Sequence, residues 1–132
     1  MLTPEDHLAI RELYARYNHA ISAGDGDAWA ALFTPDGCFS NARETVRGTT
    51  NLAVYSNDFA RARNARYWVD NIVIEATPEG AAGACYLALY HVTPGEAAGP
   101  ATLQLTGLYS DTFTKWEGQW RFATRHIARD TA

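Results

Sequence analysis

The chain is 132 residues long, the size of one domain, and with 47% of its residues hydrophobic it can bury a sizeable core without metal or disulfide staples. Its formal charge of −4 is spread through the sequence, and no run of Lys or Arg is fit to neutralise a phosphate backbone, which argues against nucleic acid as a partner. No apolar run approaches the roughly 18 residues of a membrane span, and MLTPEDHLAI opens as a helix start where a secretory signal would carry a positive and then an apolar segment, so a cytoplasmic protein with no membrane partner is expected.

Thr3, Pro4 and Asp6 are a hydroxyl cap, a first-turn proline and an acid three residues after the cap. Leu8, Ile10, Leu13, Tyr14, Tyr17, Ala20 and Ile21 follow at helical spacing, with Gly24 suited to a left-handed terminus, so the first helix is expected from about Pro4 to Ala23. Asp25 or Asp27 caps a short second helix, DAWAALF, with Trp29, Leu32 and Phe33 on its buried side. The turn Thr34-Pro35-Asp36-Gly37 and a short strand around Cys38–Ser40 come next. In NLAVYSNDFARA, Leu52, Tyr55 and Phe59 recur at near-helical spacing and predict a third helix.

From Arg66 onward the period changes to two and aromatic and β-branched residues dominate. Four consecutive antiparallel strands are predicted, Tyr67–Thr77, Ala84–Thr93, Thr102–Lys115 and Gln119–Arg129, broken by PEGAAG, PGEAAGP and a tight Glu117-Gly118 hairpin. Long twisted strands curl, and helices one and three are available to fill the concave side. The expected fold is therefore a single α+β domain, a cone-shaped curved antiparallel sheet wrapped around N-terminal helices in the order α-α-β-α-β-β-β-β. Such a cone leaves a cavity for a small organic molecule. Seven Tyr, four Trp and five Phe suit an apolar pocket rimmed by hydroxyls. Cys38 and Cys85, far apart in apolar stretches, read as buried thiols of a reducing compartment and imply neither a disulfide nor a metal site.

That element order, with IRELYARYNHAISAGDGDAWAALFTPDGCF, RYWVDNIVIE, GLYSDTFTKWEGQWRF and the terminal RHIARD, resembles the SnoaL-like branch of the nuclear transport factor 2-like superfamily. The resemblance covers nearly the whole chain. It implies a cone that dimerises through the outer sheet face and a hydrophobic pocket entered between helix one and the strands. It also implies cofactor-independent lyase, isomerase or cyclase chemistry on polyketides and other carbonyl-bearing polycycles. Members with dehydratase or cyclase activity carry an Asp near the end of helix one and a His after the Arg of the RYWVDN-like segment, a pair suited to general acid–base work. The matching positions here are Ser22 and Tyr67.

The usual dyad is thus replaced by a neutral hydroxyl and a phenol that donates more readily than it accepts. Other groups must supply a base. His19 lies one helical turn before Ser22 and either activates it or faces solvent. His91, in phase with Leu87 and Leu89, either enters the cavity or ends its strand bonded to a neighbour. Asp70, between apolar neighbours, is either a buried acid or the partner of Arg66. His126, in phase with Trp120, Phe122 and Thr124, faces either the pocket or a dimer partner.

Tyr14, Tyr17, Trp29, Tyr55, Asn71, Tyr90 and Tyr109 are the expected ligand contacts, Tyr109 falling where scytalone dehydratase places a pocket-lining polar residue. Asp25, Asp27 and Asp36 read as caps and turns, His7 as a surface residue. Arg121/Arg125 and Asp111/Lys115 read as cross-strand partners on the outer sheet face. The alternatives to an enzyme are a ligand carrier that has lost its acid–base pair, and the small subunit of a ring-hydroxylating oxygenase.

Overall fold

The computed structural model describes residues 1–62, 64–93 and 99–131. Helix α1 spans Pro4–Ala23, α2 Gly26–Ala30 and α3 Thr49–Ala62; the strands are β1 Phe33–Ser40, β2 Thr45–Arg47, β3 Ala65–Thr77, β4 Gly80–His91, β5 Thr102–Trp116 and β6 Gln119–Arg129. They form one sheet in the order β2-β1-β6-β5-β4-β3. All pairings are antiparallel except β1 with β6, which run parallel. The α+β cone expected from the sequence is the fold observed.

Local chemistry explains the helix ends. The Asp6 N–H donates to Thr3 Oγ1 at 3.1 Å while the Thr3 N–H donates to Asp6 Oδ2 at 2.9 Å, a reciprocal capping box. Gly24 closes α1 in the left-handed region at φ 71°, and Asp25 caps α2 by accepting from the Ala28 N–H at 3.1 Å. Asp6 also accepts from Trp120 Nε1 at 2.9 Å, which ties the start of α1 to β6. The bond from the Thr3 N–H and the bond from Trp120 hold the Asp6 carboxyl well below the usual range.

Several boundaries differ from expectation, first of all that of the second helix, which stops at Ala30 and leaves Phe33 to open β1. Thr34–Gly37 do not end a helix but lie inside β1, where the register with β6 jumps from Phe33↔Phe122 to Cys38↔Thr124. The turn-forming residues make an irregularity within a strand. Strand β2, a short edge piece paired with β1, was not anticipated, so the element order gains one strand. In PEGAAG only Pro78-Glu79 turn, with Thr77↔Gly80 closing the β3–β4 hairpin. PGEAAGP falls mostly outside the described residues.

On the concave side, Ile10, Tyr14, Tyr17 and Ile21 of α1 pack against Phe33, Tyr109, Phe113 and Phe122, with Trp29 and Leu52 closing the other flank. Ring centroids of Phe113 and Phe122 lie 4.9 Å apart, and Tyr14 meets Phe122 edge-on at 5.8 Å. Removing one such fully buried ring costs about 3–5 kcal/mol. Both thiols are buried and free.

Candidate functional site

Beside the packed interior a cavity of about 60 Å³ remains between α1, α3 and the sheet. Its walls are aliphatic and aromatic, Ile21, Phe39, Phe59, Leu87, Leu89, Leu105 and Ile127, interleaved with the phenols Tyr17, Tyr55, Tyr67 and Tyr109 and rimmed by Asn41 and Arg129. Tyr67 also lines an open cleft of about 290 Å³ with Asn18, His19, Ser22, Ala23 and Arg66. Among the described residues, Tyr67 is the one common to the linings of cleft and cavity. The end of α1 and the start of β3 therefore bring His19, Ser22 and Tyr67 to one place.

Two of the phenols inside, Tyr17 and Tyr109, are fixed in the protonated form. Burial pushes the Tyr109 hydroxyl up to about 12 and the Tyr17 hydroxyl well above its ordinary value, so both keep their protons across the physiological range. An interior of this kind can polarise a carbonyl or stabilise an enolate, but it does not abstract a proton. The cleft adds an imidazole, the exposed His19.

Beneath the cavity floor lies a pair that the sequence reading put on the wrong face. Asp111 and Arg125 are not outer-face partners of Lys115 and Arg121; both side chains are fully buried, with Arg125 Nε 3.0 Å from Asp111 Oδ1. The Tyr14 hydroxyl donates to Asp111 Oδ2 at 2.8 Å. The Arg125 guanidinium stacks 3.3 Å from the Tyr109 ring centre and 4.3 Å from that of Tyr17, and Nη2 approaches Cys85 Sγ at 3.6 Å. Nη1 has no hydrogen-bond acceptor among the described residues.

Burial pushes the Asp111 carboxyl up to about 6 against the pull of Arg125 and Tyr14. Burial opposes the charge on Arg125 as well, and Asp111 more than restores it, holding the guanidinium above its usual range. Burial also raises the Cys85 thiol to about 11, which leaves it inert as a nucleophile at neutral pH.

A bulge explains the misreading. In the β5–β6 ladder the register passes from Thr112↔Thr124 to Phe113↔Phe122, which inserts Ala123 and flips the alternation of β6. Arg125 and Ile127 turn inward, and His126 turns outward, where its Nδ1 lies 2.8 Å from Ser40 Oγ. Asp111 was legible: it alternates with Tyr109 and Phe113, both buried.

Other expected contacts lie elsewhere. Tyr14 is one layer below the cavity, its hydroxyl committed to Asp111. Trp29 is fully buried behind Tyr55, ring centres 6.0 Å apart, rather than on the cavity wall. Asp70 is exposed and accepts from the Asn71 N–H at 2.8 Å, so it is neither a buried acid nor the partner of Arg66, whose Nη1 donates to the Ala65 carbonyl. Asn71 is exposed at φ 55° where the β3–β4 register slips, which removes it from the concave face. Tyr90 points outward, edge-on to Trp68 at 5.1 Å. His91 is half-buried at the end of β4, opposite Ala65 and Thr102, and the walls just described do not include it. Among the described residues no group of three or more His, Cys, Asp or Glu is placed to hold a metal ion, and no helix is long and apolar enough to cross a membrane.

A family model described as a SnoaL-like domain matches residues 3–126. Among solved structures, a substituted form of Rv3472 from Mycobacterium tuberculosis, described as a protein of unknown function, is 30% identical, with a TM-score of 0.86 over 98% of this chain and 78% of that one. Aln2 from a Streptomyces species is 22% identical with a TM-score of 0.87, covering 98% and 94%. A proposed scytalone dehydratase from Novosphingobium aromaticivorans is 23% identical with a TM-score of 0.79, covering 96% and 85%. No curated protein matches the chain significantly.

Proposed function

The chain belongs to the SnoaL-like domain family, and from that premise we propose that it binds a small, mostly apolar, carbonyl-bearing organic molecule and catalyses a cofactor-independent lyase, isomerase or cyclase step on it. One observation carries the reading: Tyr67 lines both the apolar, phenol-studded cavity and the cleft that holds His19 and Ser22. A ligand whose apolar body enters the cavity presents its carbonyl to phenol donors and its acidic C–H to the cleft. Tyr67 and Tyr109 then stabilise the developing enolate, and His19, with Ser22 beside it, takes the proton.

Turnover of a panel of polyketide-like ketones, followed by absorbance, tests this. The natural protein turns over at least one of them, and Tyr67→Phe and His19→Gln each lower kcat about 100-fold or more. Activity that emerges only when Ser22→Asp and Tyr67→His are combined would instead make the natural protein a carrier that has lost its acid and base.

The exposed Trp68, Val73, Tyr86 and Leu108 on the outer sheet face support the homodimer that the family resemblance implies. Sedimentation of the natural protein and Tyr86→Glu tests it: the substituted chain is expected to sediment as a monomer.

A further inference from the structure

The cavity also adjoins an outer groove whose chemistry is unlike that at Tyr67. Asn41 and Arg129 line both the cavity and an outer groove of about 730 Å³ between the β1–β2 turn, α3 and the end of β6. Asn41 Oδ1 accepts from the Arg43 N–H at 2.8 Å and the Glu44 N–H at 3.0 Å, so the part of its amide left for the mouth is the Nδ2 donor. Arg129, the exposed last residue of β6, makes no ion pair or side-chain hydrogen bond among the described residues. Arg43 borders the same groove. The carboxylates there, Glu44 and Asp58, line the groove but not the cavity.

At the junction itself the polar groups are thus the Arg129 cation, the Asn41 amide donor and the Tyr55 hydroxyl, with Phe59 and Ile127 between them, set at the lip of an apolar chamber. The chamber, about 60 Å³, is far smaller than the roughly 300 Å³ or more of ordinary ligand sites, so a ligand that fills it extends out through a mouth. We infer that the mouth at Arg129 and Asn41 holds the carboxylate of the ligand, which makes the ligand an amphiphilic organic acid. The planar guanidinium fork matches a carboxylate in two parallel bonds, and Asn41 Nδ2 adds a third donor. This inference rests on the cavity being the binding site.

Displacement of the neutral fluorophore N-phenyl-1-naphthylamine tests it, with two competitors on the same ring system, 2-naphthoate and the uncharged 2-acetonaphthone. In the natural protein 2-naphthoate is expected to displace the fluorophore at about tenfold lower concentration than the ketone. Arg129→Met should erase that advantage, Arg129→Lys should keep part of it, and 0.5 M NaCl should shrink it. Equal displacement by acid and ketone, or an advantage that survives Arg129→Met, overturns the carboxylate mouth and leaves the cavity reading standing. A fluorophore that does not bind at all overturns both.

Discussion

Arg125 and Arg129 stand four residues apart on the same strand and illustrate two ways a cone of this kind uses a charge. Arg125 is fully buried, paired with Asp111 at 3.0 Å and stacked on Tyr109. Arg129 is exposed at the strand end, on the rim of the cavity. The first region is closed: its phenol, carboxylate and guanidinium are turned on one another. The second is open, and its donors face space. Position along the cone axis, not residue type, separates structural charge from charge available to a ligand.

Substitutions sharpen that contrast. Arg125→Met, which strands Asp111 as an unpaired buried acid, is expected to cost about 3–5 kcal/mol in urea unfolding. Combining it with Asp111→Leu should recover much of the loss, because an apolar pair needs no desolvation. A double variant no more stable than Arg125→Met would show that the pair is not the source of the cost.

The pH dependence has a defined sign. Asp111 has a folded pKa of about 6, above its unfolded value, so the native chain binds the extra proton and this group's contribution to stability is full below pH about 4 and lost as pH rises through about 6. At 2.303RT per unit the ceiling is about 3 kcal/mol. Carboxyl-carbon NMR should place the Asp111 midpoint near 6, and a midpoint at or below 4 would remove the effect.

Tyr14→Phe deletes the donor to Asp111 Oδ2 without changing the ring packing, at an expected cost of about 2 kcal/mol by chemical denaturation. Gly83→Ala attacks the same contact from β4, since a Cβ there would fall 2.5 Å from the Tyr14 oxygen. Arg129→Met is the counterpart at the open end. It is expected to change stability by less than about 0.5 kcal/mol, and a larger loss would mean that the two arginines are not so different.

The sequence carried the architecture well because caps, glycine termini and long period-two strands are local signals. Pro4–Ala23 and Gln119–Arg129 emerge with their expected bounds. The site was less legible, since which face a strand residue occupies depends on bulges that alternation alone does not reveal. One inserted residue, Ala123, put Arg125 inside and His126 outside, and a register slip between Asp70 and Val73 accompanies the exposure of Asn71. Tyr17, Tyr55, Tyr67 and Tyr109 line the cavity because they lie on unbroken inward phases or on helices packed against them. Asn41 and Arg129, which the sequence did not single out, reach the cavity rim from the ends of β1 and β6, where periodicity does not apply.

In the proposed binding mode the ligand lies inside the cone between Tyr67 and Arg129. A crystal structure with N-phenyl-1-naphthylamine bound tests it most directly. Ring density is expected against Leu87, Leu105 and Tyr109, reaching toward one of the two mouths. Density confined to the outer sheet face, at Trp68, Tyr86 and Leu108, with the cavity unchanged, would contradict it.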